Sequence, residues 1–393
     1  MQNKQVIIVG GGAAGLFAAD ALSNSHEVII LEKQSTIGRK LLVAGQGGLN
    51  ITNDCRETEL QGKYTPEGWM NKFLIDFGPS EFRKWLSDLG IPTFVGSSGK
   101  VFPEKGITAN DVLNKIKRRL EEKSVRILTG HTFTGFDSKG NITVIHGNNE
   151  VILNTSRLIL ALGGASWPVT GSDGKWKNIL ESAGVSVKPF QSSNCGINLQ
   201  WPEAIIRNHA GKPLKNIQIT AGNFSIKGEA LITEYGLEGN AIYAVIPEVR
   251  TCLNKGLKAS VHIDFKPSNS IEQLLKNFIG HNTSRDYIKS LNLDSVQMAI
   301  LKAFTTKEEF LNPEKFIGKM KDLEIHADSL RPVEEAISVV GGIELDEINE
   351  DLSLKKFPWI TVIGEMIDWD APTGGFLLQG CFSMANYAAK KVC

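Results

Sequence analysis

Short uncharged, β-branched runs punctuate the chain at both ends and set its first reading. Val6-Ile7-Ile8-Val9 has no polar alternation, which predicts a strand buried on both faces of a parallel sheet. Glu27–Leu31, Leu158–Leu162, Ala336–Ile343 and Trp359–Glu365 are further strands of this kind, and the last two return the chain to the sheet. Between them the period lengthens. Trp69, Phe73, Phe82, Trp85, Leu86 and Leu89 recur at three- and four-residue spacings between Thr65 and Gly90, a helical stretch broken at Gly78-Pro79, and its aromatics read as core. Ile91 to Pro103 predicts a hairpin with a glycine turn, in which Lys100 is either a substrate cation or, as for most lone lysines beside a turn, simply exposed. Asp111–Lys123 predicts an amphipathic helix followed by a strand at Val125–Leu128. Alternating segments around Phe133, Ile142–Ile145 and Val151–Leu153 predict a β-meander, and Leu377–Lys390 a closing helix.

The middle of the chain has another character. From Asn198 to Asp264 short β-rich runs are broken by Gly, Asn and Pro, while Ile271 to Ile325 is helical by period with a break at Asn312-Pro313. The expected fold class is therefore α/β, with a discontinuous domain over 1–190 and 327–393 and an insert over 191–326. Within the insert, about 191–268 is barrel-like β structure and about 269–326 is helical.

The loops at the strand ends carry the candidate chemistry. Gly10-Gly11-Gly12-Ala13-Ala14-Gly15 joins a strand to a small-residue helix. Gly10 permits the tight turn, Gly12 a close approach of main chain to a pyrophosphate, and Gly15 close packing of helix on strand. The phosphates would meet N–H groups at the positive helix end. Glu32, at the end of the second strand, is placed to accept bonds from ribose hydroxyls, and Lys33 follows it. Arg39 and Lys40 are adjacent cations suited to a pyrophosphate, and Gly45-Gln46-Gly47-Gly48, leading to Asn50, lets main chain pass close to a planar ring. Gly163-Gly164 after Leu158–Leu162 is a second such approach. Strand, helix and meander returning to a strand with a glycine end match the plan of FAD domains better than that of plain NAD domains. Near the end, Glu365 can hold a ribityl hydroxyl, and Gly374-Gly375-Phe376 opens a helix whose N–H groups can face the N1/C2 edge of a flavin.

Composition narrows the partners. Among 393 residues, Lys+Arg and Asp+Glu are equal at 43 each, so no global field favours nucleic acid or an anionic membrane. The 41% hydrophobic and 22% charged content suits a soluble globular chain. Cys55, Cys195, Cys252, Cys381 and Cys393 show no C-x-x-C and no metal spacing, which argues for a reducing compartment, no bound metal and no redox dithiol. Met1 to Gln5 runs into the first strand without the charged and apolar regions of a signal peptide, and no apolar run approaches a membrane span. A cytoplasmic protein acting on a small molecule is expected.

Taken in order, Gly10–Gly15, Gly38-Arg39-Lys40 with the loop to Asn50 and Thr52-Asn53, Gly163-Gly164-Ala165-Ser166, Gly341-Gly342-Ile343, and Gly364-Glu365 through Gly374-Gly375 resemble the motifs of the BaiN/RdsA-type FAD-dependent oxidoreductases. The resemblance runs from end to end. It implies a two-dinucleotide-type Rossmann FAD domain interrupted by an insert, with FAD bound through Gly12, Ala14, Gly15, Glu32, Arg39, Lys40, Gly364, Gly374 and Gly375. It implies three activities: NAD(P)H-linked reduction of carbon–carbon double bonds, reduction of an rRNA uridine, and oxidation of amines such as aminoacetone. The chain departs from those branches at Gly48-Leu49, where they tend to have Arg-Cys, and at Thr233-Glu234, where they have Thr-His. Phe94–Pro103, Trp167-Pro168 with Gly171-Ser172-Asp173-Gly174, and Ala371–Gly375 look like a sister branch. The expected function is an FAD-dependent oxidoreductase, with NAD(P)H as transient electron donor. An amine oxidase, a flavin-dependent RNA-modifying protein and a redox-sensing flavoprotein are the alternatives. No second GxGxxG marks a nicotinamide site, and no residue pattern marks a catalytic acid or base.

Overall fold

The structure is a computed structural model that describes residues 5–45, 48–276 and 288–392. It divides into two compact units: the first runs to Gln191 and resumes at Ser338, and the second is Ser192–Ile337.

The first unit is built on a five-stranded sheet with β1 (Gln5–Val9) at its centre. Across the sheet the order is Ile360–Val362, Leu158–Leu160, β1, β2 (Glu27–Glu32) and Arg126–Thr129, all parallel. Ile7 pairs with Leu158 on one side and Ile29 on the other. With a strand on each edge and cover on each face, Val6 to Val9 are all buried, which is why this run lacks polar alternation. Helix α1 (Ala13–Leu22) lies against the C-terminal helix Phe376–Val392. Its small residues let Phe17 reach Phe77, Trp85 and Phe382, with ring centroids 4.9, 4.9 and 5.1 Å away.

The stretch from Thr65 to Gly90 is two helices, Asn71–Asp76 and Pro79–Asp88. Pro79 occupies the first helical position, where its missing N–H costs nothing, and Glu81 accepts the Gly78 N–H at 3.0 Å. The aromatics of this stretch are core: Phe73 and Phe82 are fully buried. The amphipathic helix spans Ala109–Glu122, beginning ahead of Asp111 because Thr108 and Asp111 cap each other. The hairpin Thr93–Val95 with Lys100–Pro103 and the meander over His131–Phe136, Asn141–His146 and Asn149–Asn154 both form.

Ser338–Ile343 departs from expectation. It does not enter the parallel sheet but pairs with Val187–Ser193 in a separate two-stranded sheet. Gly341 and Gly342, at φ 97° and 113°, bend it away, and a Cβ on Gly341 would stand 2.3 Å from the Pro189 carbonyl oxygen. The strand around Val362 is also shorter than its apolar run, since Gly364 at φ 78° turns the chain into a 3₁₀ turn at Gly364–Met366.

The second unit carries a seven-stranded sheet in the order Leu323–Ala327, Ala259–Asp264, Pro213–Ala221, Phe224–Ile232, Gly236–Glu238, Ile197–Asn198 and Ser329–Leu330. Its two edge strands are separated in the chain by Asp328 alone, so the sheet curls until its edges adjoin. The helices Ser295–Phe304, Lys307–Leu311 and Pro313–Lys321 are an excursion between two neighbouring strands of that sheet, and Phe316, Ile317 and Met320 share its core. Because Ser329–Leu330 completes the sheet, this unit extends past residue 326 to Ile337. Among the described residues no helix is long and apolar enough to cross a membrane, and no cluster of His, Cys, Asp and Glu is placed to hold a metal.

Candidate dinucleotide site

Strand order locates the site. From β1 the chain moves through β2 to Arg126–Thr129 on one side, then crosses to Leu158–Leu160 on the other, so the crevice beyond the ends of β1 and Leu158–Leu160 is the switch point of the sheet. The glycine loop opens there, and its three motif glycines have three separate reasons. Gly10 has φ 111°, and a Cβ on it would lie 2.2 Å from the Ala161 carbonyl oxygen. One on Gly15 would lie 2.0 Å from the Gly10 carbonyl oxygen, so glycine is what lets α1 seat on the turn. A Cβ on Gly12 meets nothing within 4 Å. Gly12 caps α1 without a side-chain bond, leaving the first-turn N–H groups at Ala14 and Gly15 without the usual capping oxygen. This cradle, open at Gly12 and edged by helix donors, fits an anionic dinucleotide linkage.

Glu32 holds the loop in shape. One carboxylate oxygen accepts the Gly11 N–H at 2.8 Å and the other the Gln34 N–H at 2.8 Å. Each oxygen keeps a lone pair for a hydroxyl. Gly364 joins the same crevice: at φ 78°, its Cβ position is 3.2 Å from the Ala14 methyl, and its carbonyl accepts the Trp369 indole N–H at 2.9 Å.

The cations behave differently from the sequence reading. Lys33 pairs with Asp173 at 2.8 Å, and Lys40 donates to both Ser166 Oγ and Glu365 at 2.8 Å. Arg39 donates to the Val169 carbonyl at 3.2 Å. All three therefore fasten the segment 166–173 across residues 33–40, and Lys40 and Glu365, assigned separately from sequence, form one ion pair. Ser166 and Asp173 stand in motifs that the sequence shows, and Val169 in none, but their role as partners of Lys40, Lys33 and Arg39 is not legible there, because those partners lie more than a hundred residues away in the chain.

The remaining candidates fall into two groups. Gly163, at φ 71°, accepts the Trp176 indole N–H at 2.8 Å, and Gly164 lies beside Glu365 with Val339 2.4 Å from its Cβ position. Asn50 donates to the carbonyls of Thr52 and Val101 at 2.8 and 3.0 Å, tying its loop to the hairpin. The Gly374 carbonyl accepts from Asn53 at 3.2 Å, and a Cβ on Gly375 would stand 2.5 Å from the Thr52 carbonyl. Gly375 is thus required by packing against Thr52, and Gly45 by packing against Ala109, whose Cβ lies 2.3 Å from its own Cβ position. Thr52 is fixed in turn by Gln379, which accepts its hydroxyl at 2.6 Å in a fully buried contact. Phe376 is buried, and its carbonyl accepts the Tyr64 hydroxyl at 2.9 Å. Gln46 and Gly47 lie outside the described residues. Cys381 sits behind Gly364, where burial, and then the nearby Glu365, push its thiol well above the usual range and keep it protonated.

Comparison with known proteins fits this geometry. A family profile described as the HI0933-like protein Rossmann domain matches residues 4–391. The 3-dehydro-bile acid delta(4,6)-reductase of Clostridium scindens is 25% identical, with 98% of each chain covered. The ribosomal RNA dihydrouridine synthase of Escherichia coli is 23% identical over 98% of this chain and 97% of its own. Among solved structures, the 3-ketosteroid delta1-dehydrogenase of Sterolibacterium denitrificans, in complex with 1,4-androstadiene-3,17-dione, shares the fold with a TM-score of 0.56 at 12% identity over 99% of both chains.

Proposed function

The chain belongs to the HI0933-like Rossmann-domain family, and from that premise we propose that it is an FAD-dependent oxidoreductase, working as an NAD(P)H-linked reductase of a small substrate. The observation that carries this reading is the open cradle at Gly12, set at the sheet's switch point with Glu32 beside it. FAD, when bound, would supply hydride transfer through its N5 atom. The protein's part is to bind and orient. The α1 N-terminus and Gly12 main chain would hold the pyrophosphate, Glu32 the adenosine ribose, and the Lys40–Glu365 pair the ribityl hydroxyls. Gly374 and Gly375 open the helix Phe376–Val392, whose positive end would favour negative charge at the N1/C2 edge of a flavin bound there. The bile-acid relative is named a reductase, which supports the direction of the reaction.

In an anaerobic stopped-flow experiment, NADH or NADPH should bleach the oxidised flavin saturably. Bleaching by aminoacetone with neither pyridine nucleotide effective would replace the reductase with an amine oxidase. The dihydrouridine synthase relatives favour RNA as a second reading. The equal charge counts speak against it, since RNA affinity rests on several phosphate contacts. Nanomolar, steeply salt-dependent binding to rRNA fragments in a filter assay would turn the choice toward RNA.

Glu32→Ala should weaken FAD by about 1–3 kcal/mol, the scale of hydrogen bonds to a charged group. Because Glu32 also anchors Gly11 and Gln34, the same variant should increase amide exchange in the glycine loop of the flavin-free protein. Retention of FAD at wild-type affinity would remove Glu32 from the site.

A further inference from the structure

The strand Lys100–Pro103 is the middle of a three-stranded antiparallel sheet, with Thr93–Val95 on one side and Thr52–Asn53 on the other. Side chains alternate along such strands, so the two faces differ in character. One face carries Thr52, Val101 and Pro103, all buried in the core. The other carries Asn53 opposite Lys100 and Phe94 opposite Phe102. On this second face Phe94 is 42% exposed, and its ring stacks on Phe102 with centroids 5.7 Å and planes 27° apart. Lys100 stands two residues, about 7 Å, from Phe102 along the strand. Among the described residues no ion pair joins its ammonium, and Asp54, next to Asn53 in the chain, pairs instead with Arg83 at 3.4 Å. Folding gains nothing from leaving an aromatic pair in water, and contiguous apolar surface beside a free charge marks a ligand site where single exposed residues do not.

Two contacts tie this face to the flavin end of the crevice. Asn53 donates to the carbonyl of Gly374, at the opening of the helix Phe376–Val392, at 3.2 Å. Phe102 lies beside Gly48, whose Cβ position is 3.8 Å from its ring, in the loop that leads to Asn50. The hairpin is fixed there by the Ile51 N–H on the Val101 carbonyl at 2.9 Å and the Asp54 N–H on the Gly99 carbonyl at 2.8 Å. We propose that this face binds the small substrate, and that the substrate is a flat apolar ring system bearing a carboxylate, its rings on Phe94 and Phe102 and its carboxylate on Lys100. The proposal rests on the reductase reading above and names the substrate class which that reading leaves open. Charge decides between occupants. A neutral apolar ligand would leave the Lys100 ammonium unused, and RNA needs several cations to track its phosphates, where Asn53, Lys100, Phe102 and Phe94 supply one.

The test titrates the FAD-loaded protein with 2-naphthoate and with its neutral counterpart 2-naphthamide, followed by calorimetry and by flavin difference spectra. Naphthoate should bind and shift the flavin absorbance saturably. Naphthamide should bind roughly 10-fold or more weakly, the scale of a lost charge-assisted hydrogen bond. Lys100→Gln should erase that preference by weakening naphthoate alone. Phe94→Ala should weaken both ligands by roughly 5-fold, the scale of an aromatic pair, and Phe94→Tyr should keep wild-type affinity. Because both side chains lie on the open face, flavin content and melting temperature should stay at wild-type values in all three variants. Absence of naphthoate binding, a preference that survives Lys100→Gln, or binding that leaves the flavin absorbance unchanged would each overturn the proposal while leaving the reductase reading in place. A wild-type flavin that neither NADH nor NADPH bleaches would instead end the reductase reading. Binding of oligouridylate, lost in Phe94→Ala, by a protein that ignores naphthoate would overturn the proposal in favour of RNA.

Discussion

Gly15→Ala should abolish recovery of folded yellow protein, whereas Gly12→Ala should yield a folded protein that no longer keeps its flavin. The two positions stand three residues apart in one loop, yet their surroundings differ completely. At Gly15 an added methyl meets the Gly10 carbonyl oxygen at 2.0 Å and the Ala161 methyl at 3.4 Å, and neither backbone nor strand can retreat without lifting α1 from the sheet. Overpacking typically costs about 1–3 kcal/mol and occasionally more, and here it falls at the upper end because the clash is with main chain of the central β1–α1–β2 unit. At Gly12 the methyl enters open space, and φ −84° with ψ −174° suits any residue. Its cost to the free protein should stay within about 1 kcal/mol, the difference between glycine and alanine at a helix cap. The same methyl occupies the room where main chain must approach the pyrophosphate, so FAD affinity should fall by about 3 kcal/mol, as for the loss of two charge-assisted hydrogen bonds. Melting temperature with and without added FAD separates the two outcomes. A Gly12→Ala protein with normal flavin content would mean that the crevice is not where the dinucleotide lies.

Asp20→Ala should be the most damaging change among the charged residues of the first unit. Asp20 is on α1 and only 4% exposed. Its carboxylate accepts the Trp85 indole N–H at 2.7 Å, the Arg119 Nε at 2.8 Å and the Lys123 ammonium at 2.8 Å. Removing it leaves a buried indole N–H and two cations without their shared partner, and breaking such a buried arrangement costs about 3 kcal/mol or more. Arg119 and Lys123 keep some access to water, which holds the loss toward the lower end. For a unit of this size that is a fall of roughly 10 °C in Tm. Asp20→Asn, which can still accept the Trp85 N–H, should lose clearly less. Equal stability of wild type and Asp20→Ala in denaturant unfolding would show that the two cations re-solvate at no cost.

The glycine loop and the parallel sheet were legible because each depends on neighbours in the chain. Val6–Val9 lacks alternation since both its faces are covered, and Gly10 and Gly15 each answer a backbone requirement that only glycine meets, while Gly12 leaves open space at the start of α1. The same local logic located the hairpin, the meander and the break at Gly78-Pro79. Ser338–Ile343 misled for the converse reason: its apolar run is that of a sheet strand, but two glycines of positive φ send it to Val187–Ser193.

What composition and spacing determined by themselves is therefore the α/β class, the first βαβ unit with its dinucleotide loop, and the list of residue types able to serve a nucleotide. Tertiary structure alone decided what the charges among those residues do. Lys33, Lys40 and Glu365 carry full charges at suitable places in the chain, yet their pairing with Asp173 and with each other spans 140 and 325 residues. Gly375 serves Thr52, and Thr52 is held by Gln379, 327 residues beyond it. A backbone conformation is a property of a few consecutive residues and can be read from them. An ion pair or a close contact depends on where the folded sheet returns the chain, and the bond from Arg39 to the Val169 carbonyl exists only once that return is made.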